Sequence, residues 1–230
     1  MTTQITSPDL SLIQFKAELG SSEASSIFEI ELHGNRYALK VFHDHGDPVF
    51  TKKGRDLNRF RNEAKAYNNL HSFDVCDSGL VPKYYGSIDR IDPSCHKPWL
   101  DSFLNDKFHP SAILLEYLAG SEPLNCVNYS KERLSKAMES LVQVHEALIV
   151  HNDLYPENIL IVPGTPERVV VMDFDVAETF PTKELQDQAI GIHSPEPMQA
   201  CKFEFEILKS LGKHLEEDQK EGLPPNTKFY

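Results

Sequence analysis

The segment HNDLYPENILIV, residues 151–162, sets Asp153 and Asn158 five positions apart and directly ahead of a continuous apolar run. An aspartate taken into apolar surroundings is costly unless a partner compensates it. Asp153 is therefore either a solvated turn residue or a group held there for chemistry. Three further positions raise the same question: Lys40 in YALKVF, Glu63 in RNEAKAYNNL and Asp173 in VMDFD. Each has a plain structural reading by itself. A lysine at a strand end is usually solvated, and Glu63 becomes a surface residue after a small shift of helical register. Asp153 and Asn158 are turn formers, and Asp173 can open a turn after a strand. Glu63 poses the question most sharply, because it shares a helical face with Phe60. A carboxylate on the buried side of an amphipathic helix requires a cation.

Positioning these groups falls to elements that the apolar pattern outlines. Residues 12–19, 27–32 and 37–42 are short strand-favouring runs, separated by GSSEASS and by HGN, where Gly34-Asn35 suits a tight hairpin. The polar stretch HDHGDPVFTKKGRD follows as a loop, and from Leu57 the residues Phe60, Ala64, Tyr67 and Leu70 recur at helical spacing. VPKYYGSI and SAILLEYL are further strands, the second ended by Gly120. The spacing predicts a helix over 131–148, with Ser130 as N-cap and Leu134, Met138, Leu141, His145 and Leu148 on its inner face. Residues 159–162 and 169–172 read as two paired strands around a PGTPE turn. A last helix is predicted over 201–219, with Phe205, Leu208, Leu211 and Leu215 on one side. Pro195 and Pro197 punctuate its start and GLPP its end. Strands, helix, strands, helices is the order of an α+β protein with a β-rich first half.

Composition bounds the function. The 230 residues are 40% hydrophobic and 25% charged, ordinary globular usage with length enough for one larger domain or two small lobes. A formal net charge of −12, from 23 basic and 35 acidic residues, argues against general binding to nucleic acid or to an anionic membrane, though not against a local basic site. The start, MTTQITSPDLS, lacks the basic head and apolar centre of a signal peptide. No apolar stretch is long enough to span a bilayer. Cys76, Cys95, Cys126 and Cys201 are scattered without CxxC or zinc-like spacing, so a reducing, cytoplasmic setting is expected.

In combined order and spacing, the chain resembles the protein-kinase-like superfamily over residues 12–180. YALK is similar to its strand-lysine motif, RNEAKAYNNL to the helix that follows, and AILLEYL to the strand and hinge. HNDLYPEN is similar to H-R-D-L-x-x-x-N, DFD stands where D-F-G is usual, and GSSEASSI aligns with G-x-G-x-x-G-x-V. The resemblance implies an α+β, two-lobed protein-kinase-like fold. Its β-rich N-lobe, a five-stranded sheet plus one helix, would occupy residues 1–117. A shortened helical C-lobe, with catalytic loop, metal-binding hairpin and C-terminal helix, would occupy 118–230. ATP and Mg²⁺ are the implied cofactors. Gly20, Ser21, Ser22 and Ile27 would cover the nucleotide, Ala38 would lie over the adenine, and Lys40, oriented by Glu63, would meet the phosphates. Leu115 stands at the gatekeeper position, the backbone of Glu116 and Leu118 would meet the adenine edge, and Leu160 would form the apolar floor. Asn158 and Asp173 would hold the metal, and Asp153 would accept a hydrogen bond, then the proton, of the attacking hydroxyl. His151, Phe174 and Tyr67 stand at positions that pack inside such a fold.

Departures from the pattern shape the functional expectation. Gly20 alone keeps its glycine, with Ser22 and Ser25 at the other two positions, so the phosphate cover should be weaker or differently shaped. Asn152 replaces the Arg of H-R-D, which argues against switching by activation-loop phosphorylation. Asp175 replaces the Gly of D-F-G and adds a charge beside Asp173. HND with an acidic DFx is similar to choline kinases and aminoglycoside phosphotransferases, while MDFDVAETF and EILKSLGKHLEED are similar to small fungal kinase-like proteins. Only 55 residues (230 − 175) follow Asp175, and they contain no A-P-E. The expected function is ATP-dependent phosphotransfer to a hydroxyl of a small molecule or an atypical protein substrate, with neither nucleic acid nor membrane as partner. The alternative is a pseudokinase that holds nucleotide or protein without turnover. His43-Asp44-His45 with Asp47 resembles a metal cluster, but it lies in a polar loop and needs ligands from elsewhere, so a solvated loop is the expectation there.

Overall fold

The computed structural model describes residues 10–52, 54–191, 194 and 198–227. After a 3₁₀ turn at Leu10–Leu12, the strands β1 (Gln14–Ser21), β2 (Ser25–Leu32) and β3 (Asn35–Phe42) lead into helices α1 (Arg59–Ser72) and α2 (Val75–Ser78). Next come β4 (Tyr84–Ile88), β5 (Ser111–Glu116), β6 (Glu122–Pro123), α3 (Lys131–Glu146) and β7 (Ile149–Val150). The chain continues through β8 (Ile159–Val162), β9 (Arg168–Val171), β10 (Glu178–Thr179), α4 (Lys183–Gln188) and α5 (Ala200–Glu221). An N-terminal antiparallel sheet followed by helices is the two-lobed, kinase-like α+β architecture that the resemblance implies.

Two units follow from the pattern of contacts. One holds the described residues up to Ala64 together with Lys83–Leu118; the other holds Lys65–Pro82 and the described residues from Ala119 onward. In the first, five antiparallel strands lie in the order β1-β2-β3-β5-β4. Alternation along β2 sends Phe28, Ile30 and Leu32 inward while Glu29 and Glu31 stay only partly covered, the period-two signature of a sheet with one wet face. Phe28 and Ile30 join Leu39, Val41, Ile88, Leu100, Phe103 and Leu114 in the core, and Trp99 stacks on Phe15 across its edge. The hairpin between β2 and β3 turns one residue earlier than Gly34-Asn35. Asn35 already pairs with Leu32, and the two loop residues are His33 and Gly34. Both have positive φ (52° and 75°), which is what a two-residue type I′ turn demands. The first strand likewise starts at Gln14, two residues later than its apolar pattern suggests, because residues 10–12 are spent on the 3₁₀ turn.

In the second unit, β8 and β9 pair in register from Ile159↔Val171 to Val162↔Arg168, with β6 on the far edge of β8. Helix α3 covers this small sheet. Ser130 caps it by accepting a hydrogen bond from the Arg133 N–H at 3.2 Å. Its buried face is Ala137, Ser140, Leu141, Val144 and His145, part of a turn away from the stripe of large residues. Small side chains at 137 and 140 let the helix sit close to β9, where the Ser140 hydroxyl reaches the Val169 carbonyl at 3.5 Å. Helix α5 crosses α3 at Gly212, where an added Cβ would collide with Leu134 Cδ2. Its C-terminus closes on Gly222 in the left-handed region, φ 71°, ahead of the two prolines. Pro195 and Pro197, expected to punctuate its start, lie outside the described residues.

Candidate active site

In the first unit, β3 is buried along its second half, and Lys40 goes down with it. Its Nζ donates to Glu63 Oε2 at 2.6 Å, with the two side chains 4% and 1% exposed. Glu63 reaches it from α1 because Phe60, Glu63 and Tyr67 fall on neighbouring turns of one helix. A buried ion pair gives back in attraction about what desolvation takes, so its presence is poorly explained by stability alone. Register places Lys40 opposite Ile27 on β2 and Ile113 on β5, and Ala38 opposite Leu115. The Glu116 N–H is engaged by the Lys83 carbonyl at 2.9 Å, and Leu118 follows β5 half-buried.

The glycine-poor hairpin closes on itself. Gly20 pairs with Ile27 and Ser21 with Ser26, and the turn between them is organised by Ser22. Its hydroxyl accepts from the N–H groups of Ala24 and Ser25, both at 3.2 Å, and its N–H donates to the Ser25 carbonyl at 2.8 Å. Gly20 sits in a backbone region open to any residue, with nothing within 4 Å of where a Cβ would stand. The Ala24 carbonyl in turn accepts from the His43 N–H at 2.9 Å, so the tip is tied to the end of β3.

In the second unit, the loop after β7 carries His151, Asn152 and Asp153. Fully buried His151 donates from Nε2 to the Met172 carbonyl at 2.9 Å and accepts the Asp153 N–H at Nδ1, 3.3 Å. These two partners suit a hydrogen on Nε2 and a lone pair on Nδ1. Its ring leans on Phe174, centroids 4.8 Å apart, and Phe174 meets Tyr67 edge to face at 5.4 Å. Asn158 is buried, and its amide nitrogen donates to both the Asp153 carbonyl and Asp153 Oδ2, each at 2.9 Å. With the nitrogen so committed, the amide oxygen is the end of Asn158 left to act as a ligand. The Asn158 carbonyl accepts from Met172 N–H at 3.0 Å, which ties the loop to the residue before Asp173. Asp173 takes a positive φ of 68° and stays half-buried, while Asp175 is buried. Of the ILIV run Leu160 is half-buried, while Ile159, Ile161 and Val162 are buried. Beside Asp153 lies a recess of about 210 Å³ bounded by Tyr155, Pro156, Ile207, Ser210 and Leu211.

Several residues that matter here are not singled out by motif. Glu204 of α5 is 3% exposed. One of its oxygens meets His145 Nε2 at 2.7 Å, and the other accepts the Asn152 N–H at 2.5 Å. It thus pins the loop that carries Asp153 to two helices. Glu204 stands on the same stripe as Leu208, Leu211 and Leu215, an acidic residue on a buried face, which is the signal that marks Glu63. Burial first, and the Glu204 charge second, push the neighbouring Cys201 thiol up to about 11. Asn152 does structural work where the H-R-D motif has Arg. It adopts φ 66°, a conformation Asn tolerates, and its side chain donates to the Val176 carbonyl at 3.3 Å and to Glu178 Oε2 at 3.4 Å. The cluster of His43 and His45 does not include Asp47. That carboxylate pairs with Arg61 at 3.1 Å, which holds it below its ordinary range, and Asp106 takes its place beside the histidines.

No family model matches the chain. It is 26% identical over 139 residues to the serine/threonine-protein kinase AfsK of Streptomyces griseus, and equally to that of Streptomyces coelicolor. The match covers 60% of this chain and 15% of each of those proteins, so this chain spans a small fraction of the relatives' length. The homology is weak and partial, at the level of the protein-kinase-like superfamily and of no subfamily within it. Among the described residues, no helix is long and apolar enough to cross a membrane.

Proposed function

We propose that the chain is an ATP- and Mg²⁺-dependent phosphotransferase acting on a hydroxyl of a small molecule or an atypical protein substrate. The observation that carries this reading is Asp153: one carboxylate oxygen is held by Asn158 at 2.9 Å, and the group lines a recess of about 210 Å³ with Tyr155, Ile207 and Leu211. A fixed carboxylate beside a small, partly apolar recess suits the orientation of an alcohol and the receipt of its proton. The buried Lys40–Glu63 pair supports a nucleotide, with Lys40 as a fixed positive charge for its phosphates. Gly20, Ser21, Ser22, Ile27, Ala38, Glu116, Leu118 and Leu160 are assigned to its contacts. Asn158 and Asp173 offer hard oxygen donors of the kind Mg²⁺ takes, and that ion, when bound, would offset phosphate charge. The pairing of HND with DFD favours small acceptors, as in choline kinases and aminoglycoside phosphotransferases.

One observation favours a second reading, a pseudokinase that holds nucleotide without turnover. The N–H groups of Ala24 and Ser25, which a phosphate cover would offer to its ligand, are engaged by the Ser22 hydroxyl. Labelled ATP offered with amino alcohols, sugars, aminoglycosides and generic protein substrates separates the two. The native chain should transfer label to one class, and Asp153→Ala should lose at least about 100-fold of that rate, the scale of a general base. If the native chain is no faster than Asp153→Ala across the panel, transfer is refuted and the second reading stands.

A further inference from the structure

We infer that His43, His45 and Asp106 form a binding site for a zinc-class divalent cation in the first unit, independent of the nucleotide residues. The extended chain leaving β3 places His43 and His45 two residues apart, so both rings project to one side. They stack at 5.7 Å with planes 11° apart, and Phe103 backs the His43 ring at 4.1 Å. Asp106 arrives from the segment after the 3₁₀ turn at Asp101–Phe103, and its carboxylate is only 2% exposed. Its backbone surroundings fix it: the Asp44 N–H donates to Oδ2 at 3.1 Å, and the Phe108 N–H donates to the Asp44 carbonyl at 3.0 Å. The intervening Asp44 carboxylate turns away to Arg90 at 2.6 Å, so it does not compete for the same cation.

The distances suit a metal cage as well as a hydrogen-bonded His43–Asp106 pair. His43 Nδ1 lies 3.0 Å from both Asp106 oxygens, so a single N–H would be shared between them. His45 Nδ1 lies 3.7 Å from Oδ1, beyond hydrogen-bond reach, yet its ring is held parallel to its neighbour. Two ligands each about 2.0–2.1 Å from a tetrahedral ion stand about 3.3 Å apart, between these two values. All three donor groups lie within 4.8 Å of one another. Two imidazoles and one carboxylate suit Zn²⁺ better than Mg²⁺ or Ca²⁺, which take oxygen sets. His45 is 68% exposed, so a fourth position can be filled by water, and the ion would clasp the loop after β3 to residues 101–108.

Titrating the chelator-treated full chain with ZnCl₂ by calorimetry, and with Co²⁺ by visible absorption, tests this. The expected result is one equivalent per chain and a cobalt spectrum of low coordination number. His45→Ala, at an exposed position that leaves the fold intact, should lose at least about 100-fold in zinc affinity, more than second-sphere changes usually cost. Asp106→Asn should lose as much. His214→Ala, an exposed histidine on α5, should bind as the native chain does. Absence of a stoichiometric event in the native chain, equal affinity in His45→Ala, or an equal loss in His214→Ala would each overturn the site.

Discussion

Glu63 and Glu204 are two acidic residues on buried helical faces, and their different legibility is instructive. Glu63 sits inside a motif whose order along the chain points to Lys40, so its partner can be named in advance. Glu204 stands on an equally apolar stripe, but its partners are a histidine on another helix and a backbone N–H, neither of which a motif marks. The physical rule is the same for both: a buried carboxylate must be compensated. Applied to FEFEILKSL as strictly as to RNEAKAYNNL, it singles out Glu204 without any family knowledge. The consequence can be measured. Glu204→Ala should lower unfolding free energy by about 1–3 kcal/mol, the scale of leaving buried hydrogen-bonding partners unsatisfied. Glu204→Gln, which keeps an acceptor for Asn152 N–H and a donor for His145, should lose markedly less. Urea unfolding of the three proteins checks the order; equal losses for Ala and Gln would mean that shape, not hydrogen bonding, holds the loop.

Secondary structure was legible where pattern and burial coincide, and less so where backbones approach closely. The β8–β9 pair and helix α5 follow their apolar runs, since large residues there fill the space between elements. Helix α3 departs from its pattern because the face against β9 is built of Ala137 and Ser140, residues that a hydrophobicity reading passes over. Its N-terminus, by contrast, is set by local chemistry and is visible in the sequence: Ser130 accepts the Arg133 N–H, and Arg133 then clamps Glu167, the last residue of the PGTPE turn, at 2.6 Å. Ser130→Ala should therefore cost about 1 kcal/mol and Ser130→Gly only a few tenths, because glycine leaves the end open to water. Denaturant midpoints at unchanged slope are the measurement. A loss on Ser130→Ala well above the cap's worth would mean that the Arg133–Glu167 clamp depends on it.

At the scale of the whole chain, what pattern could not convey is that residues 65–82 pack with the later half. Apolar periodicity runs unbroken through α1, so nothing local marks the point at which the chain changes company. The proposed function makes a demand at this same scale, since it assigns Lys40 to the nucleotide and Asp173 to the metal. A ligand that binds only the folded protein, at 100 times its dissociation constant, adds about 2.7 kcal/mol. For a chain of this size that is roughly 5–10 °C in Tm. Millimolar ATP with Mg²⁺ should therefore raise the Tm of the native chain by an amount of that order, and ATP with chelator by much less. Lys40→Met and Asp173→Asn should each abolish most of the metal-dependent increment, although they lie in different units. Lys40→Met also removes the buried cation beside Glu63 and should lower the Tm without ligand. A native chain without any response to ATP would sink the nucleotide reading. A response that survives Asp173→Asn intact would take the metal away from that residue.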